Sequence, residues 1–464
     1  MSLVKLIEPV PAEELGRVHF IGIGGAGMSG IARILLKRGV AVSGSDARSS
    51  DMLTELRELG ATVHVGHAAS HIRDVNTVVV STAIRDSNPE LGEALRQNVR
   101  IIPRAAALAA VMTGRVGIAI AGTHGKTTTT SMLTVALQKC GADPSYCVGG
   151  QLVTTGLGAD EGTGDVFVAE ADESDGSFLM LAPQIAVVTN VEADHLDNYG
   201  DPEAVYDSFN RFVERIGSTL VLCADDPGAA KLAPVARSRG LKVVTYGEGE
   251  ADVRVAEVVP KGLGVEFEVA GLGRVRLSVP GRHNALNAAA VIAVALELGL
   301  PFEEVRDGLA AFTGAKRRFE AKGEADGVTV FDSYAHHPTE LAADLAAARD
   351  VVAGGGRVIA VFQPHLYSRT RFFAAEFGAA LGLADEAIVL DVYGAREDPE
   401  PGVSGALVAG QIPLPSAQVS YAPDRSAVPA LVAGRARPGD IVLTMGAGDV
   451  TELGPHIVAE LHAR

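Results

Sequence analysis

The sequence predicts an α/β protein of three domains: an N-terminal Rossmann-like parallel sheet, a central α/β domain of the P-loop ATPase type, and a C-terminal Rossmann-like α/β domain. Three observations predict it. A glycine-rich turn follows the short apolar strand at residues 18–21, a Gly-Lys-Thr turn follows the apolar strand at 116–121, and beyond residue 316 four apolar strands each end in polar residues. Strands alternating with helices build parallel sheets, and polar groups collected at strand carboxyl ends mark a ligand crevice. The domains are placed at residues 1–112, 113–315 and 316–464.

The bulk composition sets the limits. With 464 residues and 47% hydrophobic content the chain can bury several cores, and at about 100–200 residues per domain three domains are expected. A formal net charge of −17 argues against nucleic acid or an anionic membrane as the main partner, while leaving room for local basic pockets. No stretch approaches the roughly 18 consecutive apolar residues of a spanning helix, and the N-terminus MSLVKLIEPVPAEELG lacks a signal-peptide pattern. A soluble, cytoplasmic protein without membrane insertion is expected. Cys140, Cys147 and Cys223 have neither metal-like nor redox-like spacing and read as reduced packing thiols.

In the first segment, the strand Val18 to Ile21 leads into Gly22-Ile23-Gly24-Gly25-Ala26-Gly27 and a helical run from Met28 to Arg38. A second strand, Val40 to Val42, runs towards Asp46, about twenty residues on, where a ribose-binding acid is expected. Gly24, Gly25, Ala26 and Gly27 are thus candidates to cradle a diphosphate, with Asp46 beside it. Taken alone this is a dinucleotide fingerprint, and an NAD(P)-dependent oxidoreductase is a competing function. The strand Thr77 to Val80 delivers Ser81 to the same sheet edge. His64, His67 and His71 lie on a short strand and its following loop without ligands in register, so exposed or locally hydrogen-bonded roles are expected for them.

The middle segment opens on Gly122-Thr123-His124-Gly125-Lys126-Thr127-Thr128, between an apolar strand and a helical run. Unpaired N–H groups and the positive end of a helix dipole point at an anion bound there. Lys126 would sit on the phosphates and the Thr127 hydroxyl on magnesium. The generic motif has four residues between its first glycine and Gly-Lys-Thr; here only Thr123 and His124 stand there. A strand at 165–169 delivers Glu170 and an acidic turn, suited to a hard cation. Another, Ile185 to Thr189, ends in Asn190-Val191-Glu192-Ala193-Asp194-His195, where the histidine could ligate a metal or bond its neighbours. Gly281-Arg282 opens a long apolar helix, Ala285 to Leu298, with His283 and Asn284 at its start as caps or as groups facing a nucleotide.

In the last segment, strands end before Asp332 to Glu340, before Gln363-Pro364-His365, before Asp391, and before Gly446 to Asp449. The basic cluster Lys316-Arg317-Arg318 stands at the expected domain joint.

The ordered set GTHGKTTT at Gly122, EADESDGSF at Glu170, NVEADHLD at Asn190 and GRHNALNA at Gly281 resembles the ATP-dependent Mur ligase family of peptidoglycan synthesis, over nearly the whole chain. The shortened phosphate loop belongs to that resemblance. It implies that the first domain carries a UDP-sugar rather than a nicotinamide cofactor, and HFIGIGGAGMSGIA from His19 is similar to the branch that adds L-alanine to UDP-N-acetylmuramate. A sister branch, adding a recycled murein tripeptide to the same UDP-sugar, is the nearest rival. The resemblance further implies that Lys126 contacts ATP phosphates, that Thr127, Glu170 and His195 hold magnesium, that Asn284 and Asn287 approach adenine, and that His283 lies near the phosphates. Arg318, His336, His337, His365, Arg369 and Arg371 match the substrate and amino-acid contacts, and His337 or Asp332 is a candidate base for the amine. Sister ligases bear a carbamylated lysine shortly after the equivalent of His195; this chain has no Lys between Lys139 and Lys231. Many relatives read QPHRYSRT where this chain has Leu366 in place of the Arg, so any role of that guanidinium must be dispensable or supplied by Arg369 or Arg371.

Overall fold

The computed structural model describes residues 6–352 and 354–464; residues 1–5, Ala353 and the side chain of Asp197 lie outside it. The chain packs as two compact units, one of Met1–Val255, Val269–Leu272 and Leu286–Ala311, the other of Ala256–Glu268, Gly273–Ala285 and Phe312–Arg464.

The first unit holds two sheets. Strands β1 (Val18–Ile21), β2 (Val42–Asp46), β3 (Thr62–Val65), β4 (Thr77–Val80) and β5 (Arg100–Pro103) run parallel in the order β3-β2-β1-β4-β5. All four residues of β1 are buried, as a central parallel strand requires. The order reverses between β1 and β4, which puts the crevice at the carboxyl ends of those two strands. Gly22 and Ser81 both stand there. β2 begins two residues later than the expected Val40 and runs through Asp46, because Val40 still closes the preceding helix by donating to the Leu35 carbonyl. The helices between strands start on side-chain caps where the sequence supplies them: Ser50 caps Asp51–Glu58, and Asn88 followed by Pro89 caps Pro89–Arg96.

The second sheet of this unit comprises β6 (Val116–Ala121), β7 (Ser145–Cys147), β8 (Ala159–Asp160), β9 (Val166–Glu170), β10 (Ile185–Val188), β11 (Thr219–Cys223) and β12 (Lys242–Gly247), in the order β12-β11-β10-β6-β9-β7-β8. β6 lies between β9 and β10, with Ile118 level with both Val168 and Ile185. Gly122, Glu170 and Asn190, each at or just past a strand end, therefore share one edge. The helix Lys126–Lys139 behind them is buried on nearly every side. Thr130 and Thr134 tolerate this because they donate to the Lys126 and Thr130 carbonyls, each at 2.8 Å. The helix Phe302–Ala310 packs against it at Gly308, where a Cβ would lie 2.9 Å from the Ala136 Cα. The first sheet's helix Ala26–Lys37 approaches β8 as closely: a Cβ on Gly30 would lie 2.7 Å from that of Ala159.

In the second unit β13 (Val253–Lys261), which starts beside β12 within the first unit, continues with β14 (Gly264–Val269) and β15 (Gly273–Leu277). Its main sheet comprises β16 (Glu320–Ala325), β17 (Val328–Ser333), β18 (Val358–Phe362), β19 (Glu386–Val389), β20 (Val419–Tyr421) and β21 (Ile441–Met445), ordered β16-β17-β21-β18-β19-β20 and parallel except for β16. Among the described residues no helix is long and apolar enough to cross a membrane.

Candidate active site

The loop after β6 is shaped by contacts that only glycine permits. Gly122 has φ +127°, and a Cβ there would stand 2.0 Å from Thr189 Oγ1. Gly125, at φ +82°, ends the loop, and the helix Lys126–Lys139 starts without a side-chain cap, so its first N–H groups remain available to an anion. Asn190 clamps the loop from β10: its Oδ1 accepts from the His124 N–H at 2.8 Å, its Nδ2 donates to the His124 carbonyl at 3.1 Å, and its carbonyl accepts from the Thr123 N–H at 3.0 Å.

Lys126 Nζ donates to the Gly122 carbonyl at 2.7 Å and the Thr123 carbonyl at 3.1 Å, and lies 2.8 Å from Glu173 Oε2. Burial opposes its charge, but Glu173 and Asp172 outweigh burial and hold the ammonium above its ordinary value. Burial lifts the Glu173 carboxyl above the usual range although Lys126 and His195 pull it down. Thr127 Oγ1 donates to Glu170 Oε1 at 3.0 Å, and Glu170 Oε2 accepts from the Gly149 N–H at 2.7 Å. His195 sits at φ +54° with Nε2 3.7 Å from Glu173 and 3.6 Å from Asp194. The structure thus brings Lys126, Thr127, Glu170 and His195 to one edge, and adds Glu173, which Lys126 and His195 share. Sequence reasoning had read Glu173 only as part of an acidic turn. Its position three residues past Glu170 was the available signal.

Thr128 follows as the third residue of the helix. Asn287 reaches the same loop, its Oδ1 2.9 Å from where a Gly125 Cβ would be. The expected helix start at Ala285 is corrected: the helix runs Arg282–Glu297, and Arg282, His283 and Asn284 form its first turn. The positive φ of Gly281 makes the bend that an earlier start needs. In the second unit Asn284 Nδ2 donates to the Pro280 carbonyl at 2.7 Å, and burial pushes the His283 imidazole down to about 4, so it is neutral.

At the first sheet, the Gly22 and Ile23 N–H groups donate to the Ser45 carbonyl, the Gly24 N–H donates to Asp46 Oδ2 at 3.0 Å, and Gly25 caps the helix Ala26–Lys37. Gly27 lies against Arg104: a Cβ there would be 3.1 Å from the guanidinium Nη1, which belongs to a side chain 3.5 Å from Asp172. Arg104 was missed; it opens a helix directly after Pro103, a place where a cation has no helix-stabilising reason to be.

In the second unit His336 donates from Nδ1 to the Tyr334 carbonyl at 3.0 Å, its own N–H meets Glu340, and its ring is 6.2 Å from that of His365, which stacks on Tyr393. Arg318 lies over Tyr334 and 3.9 Å from Glu340. Arg369 is buried in the short helix after Leu366, whereas Arg371 is exposed and pairs with Glu400 at 3.0 Å, outside this cluster. Leu366 is buried at φ +69°, one residue past His365. His337 Nδ1 accepts from the Thr339 N–H at 3.4 Å. Asp332 is fully buried and its oxygens are taken up by Thr444 at 2.8 Å, Thr451 at 2.7 Å and Arg317 at 3.3 Å.

A helix-capped phosphate loop beside a second strand ending in a carboxylate is the equipment of an enzyme that transfers a phosphoryl group. Family models match in sequence along the chain: "Mur ligase family, catalytic domain" over residues 17–115, "Mur ligase middle domain" over 120–295 and "Mur ligase, glutamate ligase domain" over 317–448. The chain belongs to the Mur ligase family, a family of ATP-dependent ligases. It is 62% identical to a UDP-N-acetylmuramate–L-alanine ligase of Thermobifida fusca, covering 99% of this chain and 100% of that one, and 58% identical to one of a Nocardioides species, covering 97% and 98%. Among solved structures it is similar to the UDP-N-acetylmuramate-alanine ligase of Thermotoga maritima, with a TM-score of 0.79 at 28% identity over 96% of this chain and 99% of that one.

Proposed function

We propose that the chain joins L-alanine to the lactyl carboxylate of UDP-N-acetylmuramate, converting ATP to ADP and phosphate, in the first peptide-forming step of peptidoglycan precursor synthesis. The observation that carries this reading is Lys126 at the head of a buried helix, bonded to two loop carbonyls and to Glu173, with Thr127 and Glu170 3.0 Å apart alongside.

A carboxylate is a poor acceptor for an amine. One of its oxygens therefore first attacks the γ-phosphorus, expelling ADP and forming an acyl phosphate. The alanine nitrogen, once a base has taken its ammonium proton, attacks the acyl carbon; the carbon–oxygen bond to phosphate breaks, the nitrogen gives up a second proton, and the amide forms. Phosphoryl transfer asks for charge neutralisation and alignment more than covalent help. Lys126, kept charged by Glu173, supplies the first, and the N–H groups opening its helix supply the second. Magnesium suits the oxygen donors Thr127 and Glu170 with His195 beside them, and when bound it neutralises phosphate charge. Asn284 and Asn287 are assigned to adenine, and neutral His283 to a hydrogen bond near the phosphates.

Gly24, Gly25, Ala26 and Gly27 hold the UDP diphosphate, with Asp46 and Ser81 beside it and Arg104 as its counter-charge. Arg318, His336, His365 and Arg369 bind sugar-borne and amino-acid carboxylates. His337 is the candidate base for the alanine amine, the Asp332 oxygens being already taken up by Thr444, Thr451 and Arg317. Boundaries near residues 112 and 315 separate the three domains.

The test is phosphate release with UDP-N-acetylmuramate and L-alanine, glycine, L-serine or murein tripeptide supplied singly. The highest kcat/KM is expected for L-alanine; turnover confined to the tripeptide would contradict the reading.

A further inference from the structure

The first sheet carries a cavity at the opposite edge from the glycine loop. It has a volume of about 570 Å3 and lies at the amino ends of the strands, with Arg17 just before β1, Thr62 opening β3 and Arg73 shortly before β4 among its lining residues. That size falls within the roughly 300–1,000 Å3 of small-molecule sites.

Its chemistry is cationic. His64 and His71 line it as a stacked pair, ring centroids 3.9 Å apart and nearly parallel at 8°. The guanidinium groups of Arg17 and Arg73 have no hydrogen-bond or ion-pair partner among the described residues. Asp74 is the only carboxylate in the lining among the described residues. The nearby Glu90 does not offset this charge from within the cavity: it is fully buried and already bonded to His71 Nδ1 at 2.6 Å, Ser45 Oγ at 2.5 Å and His67 Nδ1 at 3.1 Å. Two guanidinium groups without partners among the described residues, in one lining with two imidazoles, suit the oxygens of a phosphate group. Burial and the neighbouring His71 and His19 hold the His64 imidazole below its ordinary value, and an anion bound in the cavity favours its charged form.

The same residues lead to the glycine loop. His71 is bonded to Glu90, Glu90 to the Ser45 hydroxyl, and the Ser45 carbonyl accepts from the N–H groups of Gly22 at 2.8 Å and Ile23 at 3.0 Å. A ligand that draws His71 towards the cavity acts on a hydrogen-bond chain that ends at the diphosphate cradle.

We propose that this cavity is a regulatory site for a phosphate-bearing anion, bound by Arg17, Arg73 and the His64–His71 pair and coupled through Glu90 and Ser45 to the glycine loop. The binding half stands apart from the proposed function; only the kinetic half rests on it.

The experiment titrates inorganic pyrophosphate into the full chain already saturated with ADP and UDP-N-acetylmuramate, so that both phosphate loops are filled. Calorimetry is expected to show one saturable site, weakened at least tenfold in Arg17→Ala/His64→Ala and in Arg73→Ala, with melting temperatures and pyrophosphate-free kcat unchanged. Histidine resonances of His64 and His71 should shift in step with binding. In turnover, pyrophosphate should change the KM for UDP-N-acetylmuramate and leave that for L-alanine alone. No saturable binding, or equal affinity in the variants, would overturn the site. Binding that leaves KM unaltered would overturn the coupling.

Discussion

The Lys126 ammonium lies 2.8 Å from a Glu173 carboxylate that is only 2% exposed. Breaking a buried pair by removing one partner strands the other charge, which costs about 3–5 kcal/mol. Lys126→Ala is therefore expected to lose both acyl-phosphate formation and several degrees of melting temperature. In Lys126→Met/Glu173→Gln, where both charges go, the melting temperature should largely return while activity stays absent. Retained ligase activity in either variant would remove Lys126 from the mechanism.

Gly122 is fixed by geometry. A Cβ would overlap Thr189 Oγ1, and the φ of +127° is one that other residues rarely adopt. Gly122→Ala is expected to cost about 1–3 kcal/mol of stability from backbone strain alone. It should also raise the KM for ATP while sparing binding of UDP-N-acetylmuramate, measured by calorimetry.

Arg104 lies between Gly27 and Asp172. A charge-assisted hydrogen bond to an anionic substrate is worth about 1.5–3 kcal/mol, so Arg104→Ala should raise the KM for UDP-N-acetylmuramate about tenfold or more. The KM for ATP should move little. Equal effects on both would reduce Arg104 to a structural tie.

Glu90 predicts an acid limb. Burial opposes its charge, yet the His19 imidazole 3.6 Å away and hydrogen bonds from Ser45 and His71 hold it down at about 2 against an ordinary 4.5. Its folded value is depressed, so the stability it confers is present above pH 4.5 and is lost as pH falls towards 2. Melting temperature followed from pH 6 to pH 2.5 should fall less steeply in Glu90→Gln than in the parent chain.

The parallel core was legible because its strands are short apolar runs closed by glycine or polar residues: β1, β4, β6, β10 and β18 all stand where the runs stand. The antiparallel edges were not. β16, reading EAKGEA, and β8, only two residues long, have no apolar run, and they exist because a neighbouring strand offers unpaired backbone groups. β13 to β15 alternate polar and apolar residues at a half-exposed surface, a pattern easily passed over beside the denser runs. At the site, Lys126, Thr127 and Glu170 were visible through strand-end placement. Glu173 and Arg104 were not, since what marks them is a partner 47 or 68 residues away in sequence. The histidines at 64, 67 and 71 are expected from sequence to be exposed or locally hydrogen-bonded. His67 and His71 bond to Glu90, which no local pattern singles out.

The central claim is that ATP activates the sugar's carboxylate before the amine arrives. It is tested most directly with UDP-N-acetylmuramate carrying oxygen-18 in its lactyl carboxylate, by mass spectrometry of the phosphate released during turnover with L-alanine. Attack of the carboxylate on the γ-phosphorus requires one labelled oxygen in each phosphate, the other remaining in the amide. Unlabelled phosphate alongside normal amide formation would contradict the account.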